Sequence, residues 1–368
     1  MTKINILSQG RFHMLDLARE LDHTGFDIKF YSFIPTSRCI KFGLQKKCIV
    51  SLFGIIAPFL ILRRIFPKLS WIHIKVQDFI MGIFMRKCDI CISLTGYVYA
   101  PRIAQKKGAI IIMERGSKHI LEQKKILEKN PHKKNEAIPN RNIKCNLKAY
   151  QFANFISVVS QHVKESFLLH QYPENRIFVN PYGVDLSMFK PLPNIPKKYD
   201  VIMVGGWGYE KGCDLIVEAI RKTNYSFIHV GSIKDVDFPQ EKNFTHIDPV
   251  DQSKLIEYYN QAKVFILPSR QDGFGMVLSQ ALACNLPIIG SNNCGAPDLK
   301  KMVELPEYIT IIKDYTADAI VTAIHTAIKN YEQLGERIYA GNAIENLTWE
   351  AYGKRYANFL HKIISRRM

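Results

Sequence analysis

Two stretches carry residues whose types and spacing can do chemistry, and both lie in the second half of the chain. The first is Val264–Asn285 (VFILPSRQDGFGMVLSQALACN). Apolar Phe265–Leu267 predicts a buried strand, Pro268–Gly273 a loop, and a helix begins near Phe274 or Gly275. Glycines on both sides of Phe274 leave the backbone bare where that helix opens. The first amides of a helix have no partner inside it. Those of Phe274, Gly275, Met276 and Val277, with the helix dipole behind them, form an anion site that fits a diphosphate. A plain strand–turn–helix, with glycines for turn geometry, is the other reading of the same spacing.

The second stretch is Val204–Lys211 (VGGWGYEK). Gly205, Gly206 and Gly208 come after a strand-like run, and Lys211-Gly212 opens the next helix. Lys211 is placed to meet a phosphate as a point charge. The loop matches neither G-x-G-x-x-G nor the P-loop pattern, so on its own it is weak. Two such elements in one domain reinforce each other.

These loops need elements to hold them. Ile4–Leu7 reads as a strand, Gly10 as the turn after it, and Met14, Leu15, Leu17, Ala18 and Leu21 as a helix stopping near Gly25. Strand-like runs recur at Asp27–Phe33, Asp89–Leu94, Ala109–Met113 and Phe155–Ser160, with helical stretches between them. Pro191, Pro193 and Pro196 form a stiff joint before Lys197-Lys198. The rhythm then restarts with strands at Tyr199–Val204, Ser226–Val230, Val264–Leu267 and Pro287–Ile289 and helices from Lys211, Lys254 and Gly275. Such alternation predicts an α/β chain of two doubly wound parallel-sheet domains, with ligands at the carboxyl ends of the strands. The expected division is 1–190, 199–345, and a last segment, 346–368.

The chain has 368 residues and a net charge of +17. Residues 1–190 hold 30 Lys+Arg against 13 Asp+Glu, and the remainder 20 against 20. All the excess positive charge therefore lies in the first half. It reads either as a solvated surface or as a face for an anionic partner. No nucleic-acid module is visible, so no nucleic-acid partner is expected. Ile49–Leu62 (IVSLFGIIAPFLIL) is too short to span a bilayer. It reads as a buried core helix, or as an element lying in a membrane interface beside Arg63-Arg64. Residues 122–148 hold eight Lys+Arg and three Glu with Pro131 and Pro139, and read as an exposed, mobile basic insertion. That insertion is either a solvated loop or a phosphate-seeking arm. The start shows no signal-peptide pattern, and most of the eight cysteines sit in apolar runs, as expected of buried thiols in a reducing compartment. Cys88-Asp-Ile-Cys91 lacks a second pair at metal spacing.

The order of these pieces resembles glycosyltransferase family 4, retaining enzymes of the GT-B fold. VGGWGYEKG is similar to that family's V-G-R-x-x-x-E-K-G loop, and PSRQDGFGMVLSQALACNLPIIGSN to its second motif. VVSQHVKESF and NPYGVDLSMF resemble the segments closing the first domain. Thr348-Trp349 and the helical stretch after them resemble the family's last helix, which crosses back to that domain. Over residues 1–150 the likeness is loose, with Glu114-Arg115-Gly116-Ser117 and His119 as its one recognisable stretch.

The resemblance implies roles. Lys211 and the amides after Gly273 would hold the leaving diphosphate. The family's two glutamates fall on Asp272, near the transferred sugar, and Gln280, on the nucleotide ribose. Its arginine falls on Gly206, so Lys211 must act alone or with Arg11 or Arg270. Glu114 or His119 would orient or deprotonate the acceptor hydroxyl, or play a packed, hydrogen-bonded part. Gly10, Gly205, Gly206, Gly273 and the four amides complete the expected substrate-binding set. No metal or other cofactor is expected, although Asp235-Val-Asp237 mimics the D-x-D of another transferase fold.

The function expected is transfer of a hexose from a UDP- or GDP-sugar to a phosphate-bearing, lipid-linked or membrane-presented glycan. That would place the protein in the cytoplasm, on the inner face of an anionic membrane, in surface polysaccharide or lipopolysaccharide synthesis. A catalytically weak nucleotide-sugar-binding protein and a nucleotide-sugar epimerase are the alternatives.

Overall fold

The computed structural model describes residues 1–66, 72–132, 138–334 and 345–366. In the first half, β1 (Lys3–Leu7), β2 (Asp27–Ser32), β3 (Ile49–Ser51), β4 (Ile90–Leu94), β5 (Ile110–Arg115), β6 (Phe155–Val158) and β7 (Ile177–Val179) form one sheet. Its order is β3-β2-β1-β4-β5-β6-β7 and every pairing is parallel. In the second half, β8 (Tyr199–Val204), β9 (Phe227–Val230), β10 (Phe244–Ile247), β11 (Ala262–Leu267), β12 (Ile288–Ser291) and β13 (Ile309–Ile312) form another. Its order is β10-β9-β8-β11-β12-β13, again all parallel.

Helices cover both faces of a parallel sheet, so its inner strands are apolar throughout. Ile90, Cys91 and Ile92 of β4 and Val264–Leu267 of β11 are buried accordingly. The Phe12–His23 helix buries Met14, Leu15, Leu17, Ala18 and Leu21, the residues its spacing marked. The Trp349–Ser365 helix, capped by the Thr348 hydroxyl, returns to the first domain. Its Phe359 stacks on Phe178 at 4.2 Å, and its Gly353 lies against Glu20.

Strand order reverses between β1 and β4 and again between β8 and β11. Such switch points open a crevice at the carboxyl ends of the flanking strands. The loop holding Gly10 comes after β1, the Gly205–Gly208 loop after β8, and the Asp272–Gly275 loop after β11. Topology therefore delivers all three to the crevices.

Four strands escape the sequence patterns: β3, β7, β10 and β13. They are the four sheet edges. An edge strand is paired on one side only and stays short, so its apolar signal is weak.

Two expectations change. Ile49–Leu62 is not a core helix. Its start is β3, and its remainder belongs to the Phe53–Ile65 helix, which buries only Ile56 and leaves Phe53, Ile55, Ile61, Leu62 and Ile65 exposed. Residues 122–148 are not a mobile insertion where they are described. They belong largely to the Ile120–Leu127 and Asn140–Phe152 helices, while 133–137 lie outside the described residues. Ile143, Asn146, Ala149 and Tyr150 recur at helical spacing and are buried, which fixes the second helix despite its basic outer face.

Candidate active site

The loop after β11 opens the Met276–Ala283 helix. Gly275 caps it in the left-handed region, at φ 76°, where an L side chain would be strained. Among the described residues the amides of Phe274, Gly275, Met276 and Val277 have no acceptor. These are the four amides named from the sequence. A helix opening with bare amides attracts negative charge.

One negative charge already sits there. The Asp272 carboxylate lies 3.4 Å from the place a Cβ on Gly275 would take. It accepts a hydrogen bond from Lys211 Nζ at 2.6 Å. Burial alone would lower the pKa of Lys211, but Asp272 and then Glu210 outweigh it and the net shift is upward. The ammonium is therefore fixed as a cation.

Lys211 lines a cavity of about 160 Å³ with Gly206, Gly208, Glu210, Lys234 and Asp235 of the second domain and Leu127 and Asn130 of the first. Sequence reading missed Lys234. A Cβ on Gly206 would lie 2.3 Å from Lys234 Cε and 2.8 Å from its Nζ, so the bare glycine is the bed on which this lysine rests. The Lys234 amide donates to the Trp207 carbonyl at 2.9 Å, while among the described residues its ammonium has no acceptor. Glu210 was also passed over. Burial raises its pKa, Lys211 lowers it, and the net shift is upward. The signal available was position: Glu210 precedes Lys211, whereas Lys234 comes after a different strand and only folding brings it back.

The two cations suggested as helpers are engaged elsewhere. Arg270 forms a two-pronged pair with Asp214 at 2.6 and 2.7 Å and lies over the Tyr209 ring. Arg11 lies over the Phe42 ring and reaches Gln252 Oε1 at 3.5 Å. Asp235 accepts from Asn130 Nδ2 at 2.7 Å and from the Tyr209 amide at 3.0 Å, so it braces the glycine loop against the first domain. Trp207, fully buried against Phe227, His229 and Phe238, anchors the same loop from behind. Among the described residues no cluster of three His, Cys, Asp or Glu side chains has the grouping of a metal site.

Gln280 lies on the Met276–Ala283 helix. It is buried, and its Oε1 accepts from the Tyr259 hydroxyl at 3.0 Å. Glu114 is buried between the Tyr356 hydroxyl at 2.6 Å and His13 Nε2 at 3.2 Å. It ties the returning last helix to β5. His119 caps the Ile120–Leu127 helix through Nδ1 and stacks on His170 at 4.0 Å. Burial, then His170 and Arg115, hold its pKa down to about 3. Glu114 and His119 are thus both packed and hydrogen-bonded. Gly10, whose carbonyl accepts from the Ser8 hydroxyl, stands at the β1 crevice.

The first domain grips the anion loop directly. The Gly273 carbonyl accepts from Ser160 Oγ at 2.6 Å and from His162 Nε2 at 3.0 Å. Gln271 donates to Ser117 Oγ, and Lys118 Nζ to Asn293 Oδ1 at 2.7 Å. A Cβ on Gly273 would overlap the Gly116 carbonyl oxygen, so the two backbones approach as only glycine permits. Several of these residues lie in stretches marked from the sequence, but their pairing was not legible there, because each contact joins residues from different domains.

Residues 187–343 match the family described as Glycosyl transferases group 1. A probable sucrose-phosphate synthase of Thermosipho melanesiensis is 26% identical over 242 residues, covering 58% of this chain and 56% of that protein. A GDP-mannose-dependent alpha-(1-6)-phosphatidylinositol monomannoside mannosyltransferase of Mycolicibacterium smegmatis is 24% identical over 242 residues, covering 56% of this chain and 62% of that protein. The chain thus spans little more than half of these relatives. Among solved structures, Anabaena HepE in complex with UDP-glucose superposes with a TM-score of 0.67 at 13% identity, covering 98% of this chain and 100% of that one. The match to the group 1 family thus lies in the second half of the chain, and the frame that carries it has the GT-B fold.

Proposed function

We propose that this protein is a retaining hexosyltransferase of the family 4 type, taking its sugar from a nucleotide-sugar. The observation that carries the reading is the group of four unpaired amides at the opening of the Met276–Ala283 helix, beside the Lys211 ammonium. In such a transfer the bond from the sugar's anomeric carbon to the diphosphate breaks, and the diphosphate oxygen gains charge. Fixed amides and ammonium groups favour that charge without having to reorganise. Lys211, Lys234 and the helix opening supply them here, and no metal is called on. The acceptor hydroxyl bonds to the anomeric carbon, and its proton passes to the departing diphosphate. Asp272 releases Lys211 to the incoming phosphate and turns toward the sugar.

The acceptor is a phosphate-bearing lipid-linked or membrane-presented glycan, and the setting is the inner face of an anionic membrane during surface polysaccharide assembly. Three observations support this part. The positive excess lies in the first half. The Phe53–Ile65 helix presents apolar side chains outward with Arg63 and Arg64 at its end. The mycobacterial relative is named for a phosphatidylinositol mannoside substrate. No described helix is long and apolar enough to cross a membrane.

The test is a panel of UDP- and GDP-sugars given to the purified protein, with release of nucleoside diphosphate as readout. Release from at least one donor is expected. Silence across the panel, with nucleotide still bound, would mean a binding protein of the same fold.

A further inference from the structure

A cavity of about 1010 Å³ lies wholly in the first domain, among the His73–Phe84, Tyr99–Lys106, Ile120–Leu127 and Asn140–Phe152 helices. Its wall is mainly apolar, with Phe79, Ile103, Ile120 and Ile138 facing inward. Asp78 is its one acidic residue, and that carboxylate is spent on the amides of Val98, Tyr99 and Ala100 at 2.7 to 2.8 Å. Arg115 is likewise committed, to the Lys118 carbonyl, Asn146 and Gln123. Arg102, its guanidinium 5.0 Å from the centre of the Phe152 ring, and Lys106 stand at the exposed rim, so the mouth is positive and the interior is oily.

The mouth opens onto an apolar surface. Ile74, Phe79 and Tyr99 line the cavity yet are 40%, 52% and 42% exposed. Ile83 and Phe84 continue the exposed strip along the same helix. Phe59 stacks on His73 at 5.9 Å, which sets the outward-facing Phe53–Ile65 helix beside it. Contiguous exposed apolar surface of this kind marks an interaction site, and basic flanks suit lipid phosphates. On its other side the cavity shares a wall with the anion site. Arg115 and Ile120 line the cavity, while Gly116, Ser117 and Lys118 between them touch Gly273, Gln271 and Asn293.

We infer that this cavity binds the hydrocarbon chain of a membrane lipid phosphate, with Arg102 and Lys106 holding the phosphate at its mouth. The inference deepens the lipid-linked acceptor reading and rests on it. An oily interior takes up an acyl or isoprenoid chain by removing it from water. A rim of cations selects the phosphorylated form over the free alcohol.

Cys145 provides a probe inside the site. It lines the cavity, and of the eight free thiols it alone is not buried. The full-length protein is treated with N-ethylmaleimide in the presence of farnesyl phosphate, farnesol or inorganic phosphate, and Cys145 labelling is tracked by mass spectrometry. Farnesyl phosphate should slow labelling about tenfold, farnesol less, and inorganic phosphate not at all. Arg102→Ala with Lys106→Ala should raise the farnesyl phosphate concentration needed for protection severalfold and leave farnesol unchanged. Undiminished labelling with farnesyl phosphate, or equal protection by inorganic phosphate, overturns the inference. Donor breakdown is measured on the same preparation. Lost protection with breakdown intact sinks the cavity alone. Protection without any breakdown sinks the transferase reading and leaves the lipid site standing.

Discussion

Lys211 and Asp272 meet at 2.6 Å across 61 residues of chain, one from the loop after β8 and the other from the loop after β11. The pair joins the two elements that sequence alone marked as phosphate-seeking. It also places a carboxylate beside the unpaired amides of the Met276–Ala283 helix, where a diphosphate would compete for the same ammonium.

Removing the ammonium should therefore hurt transfer more than folding. Lys211→Ala is expected to lower kcat by about 100-fold or more, the scale of losing one preorganised stabiliser of developing charge. The Asp272 side chain is 19% exposed, so water relieves much of the stranded charge and the melting temperature should fall by only a few degrees. A loss of fold equal to the loss of rate would make Lys211 a structural residue. Steady-state kinetics and calorimetry on one preparation decide it.

Lys234 should act as the second phosphate cation. Lys234→Ala is expected to weaken binding of a nucleoside diphosphate about tenfold, in line with loss of one charged hydrogen bond. Gly206→Ala should produce a similar loss by lifting the Lys234 stem from its bed, with little change in stability. Titration calorimetry with UDP and GDP measures both. Unaltered affinity in the two variants would place Lys234 outside the donor site.

Gly273→Ala should push the domains apart. The added methyl meets the Gly116 carbonyl, and overpacking of this kind costs about 1–3 kcal/mol. Small-angle scattering should show a larger radius of gyration, and transfer should fall as the anion loop leaves Ser160 and His162. An unchanged radius with full activity would show that the contact is not maintained in solution.

Acid should loosen the same contact. Burial, then Lys118, hold the His162 pKa down to about 4, below its ordinary 6.5. The unfolded chain then binds the proton more readily than the native one, so stability rises with pH across this window. The contribution is fully present above pH 6.5 and is lost as pH falls toward 4; it amounts to about 3 kcal/mol for this group. His119, held down to about 3, and His229, held down to about 4, act in the same direction. His162→Gln keeps a side-chain donor for the Gly273 carbonyl and removes the titration. Its melting temperature should fall less steeply from pH 6.5 to 4 than that of the natural protein. Parallel curves would clear His162 of this role.

The outward face of the Phe53–Ile65 helix should hold the protein to membranes. Ile61→Asp with Ile65→Asp places charge at two positions that are already exposed, so folding should be spared. Flotation with vesicles containing phosphatidylglycerol should show the natural protein bound and this variant released, because the apolar face must be buried in the lipid interface. Equal flotation of both would remove this helix from the membrane contact.

What the sequence determined by itself was local and periodic. Apolar runs such as Tyr199–Val204 and the helical spacing of Met14–Leu21 are set by burial against their own sheets, and they returned the inner strands and the parallel α/β class. The anion site was legible for the same reason: Gly273, Phe274 and Gly275 lie together in the chain, and bare amides at a helix opening are backbone chemistry. Only the tertiary structure decided what depends on distant partners. Gln280 could be matched to a motif, but its burial against Tyr259 depends on where another helix packs. Lys234 reaches Gly206 because β8 and β9 are neighbours, and Glu114 is buried because the last helix returns to lay Tyr356 on it. Side chains with a given charge or hydrogen-bonding capacity take their role from the partner that folding supplies, and that partner is not written beside them.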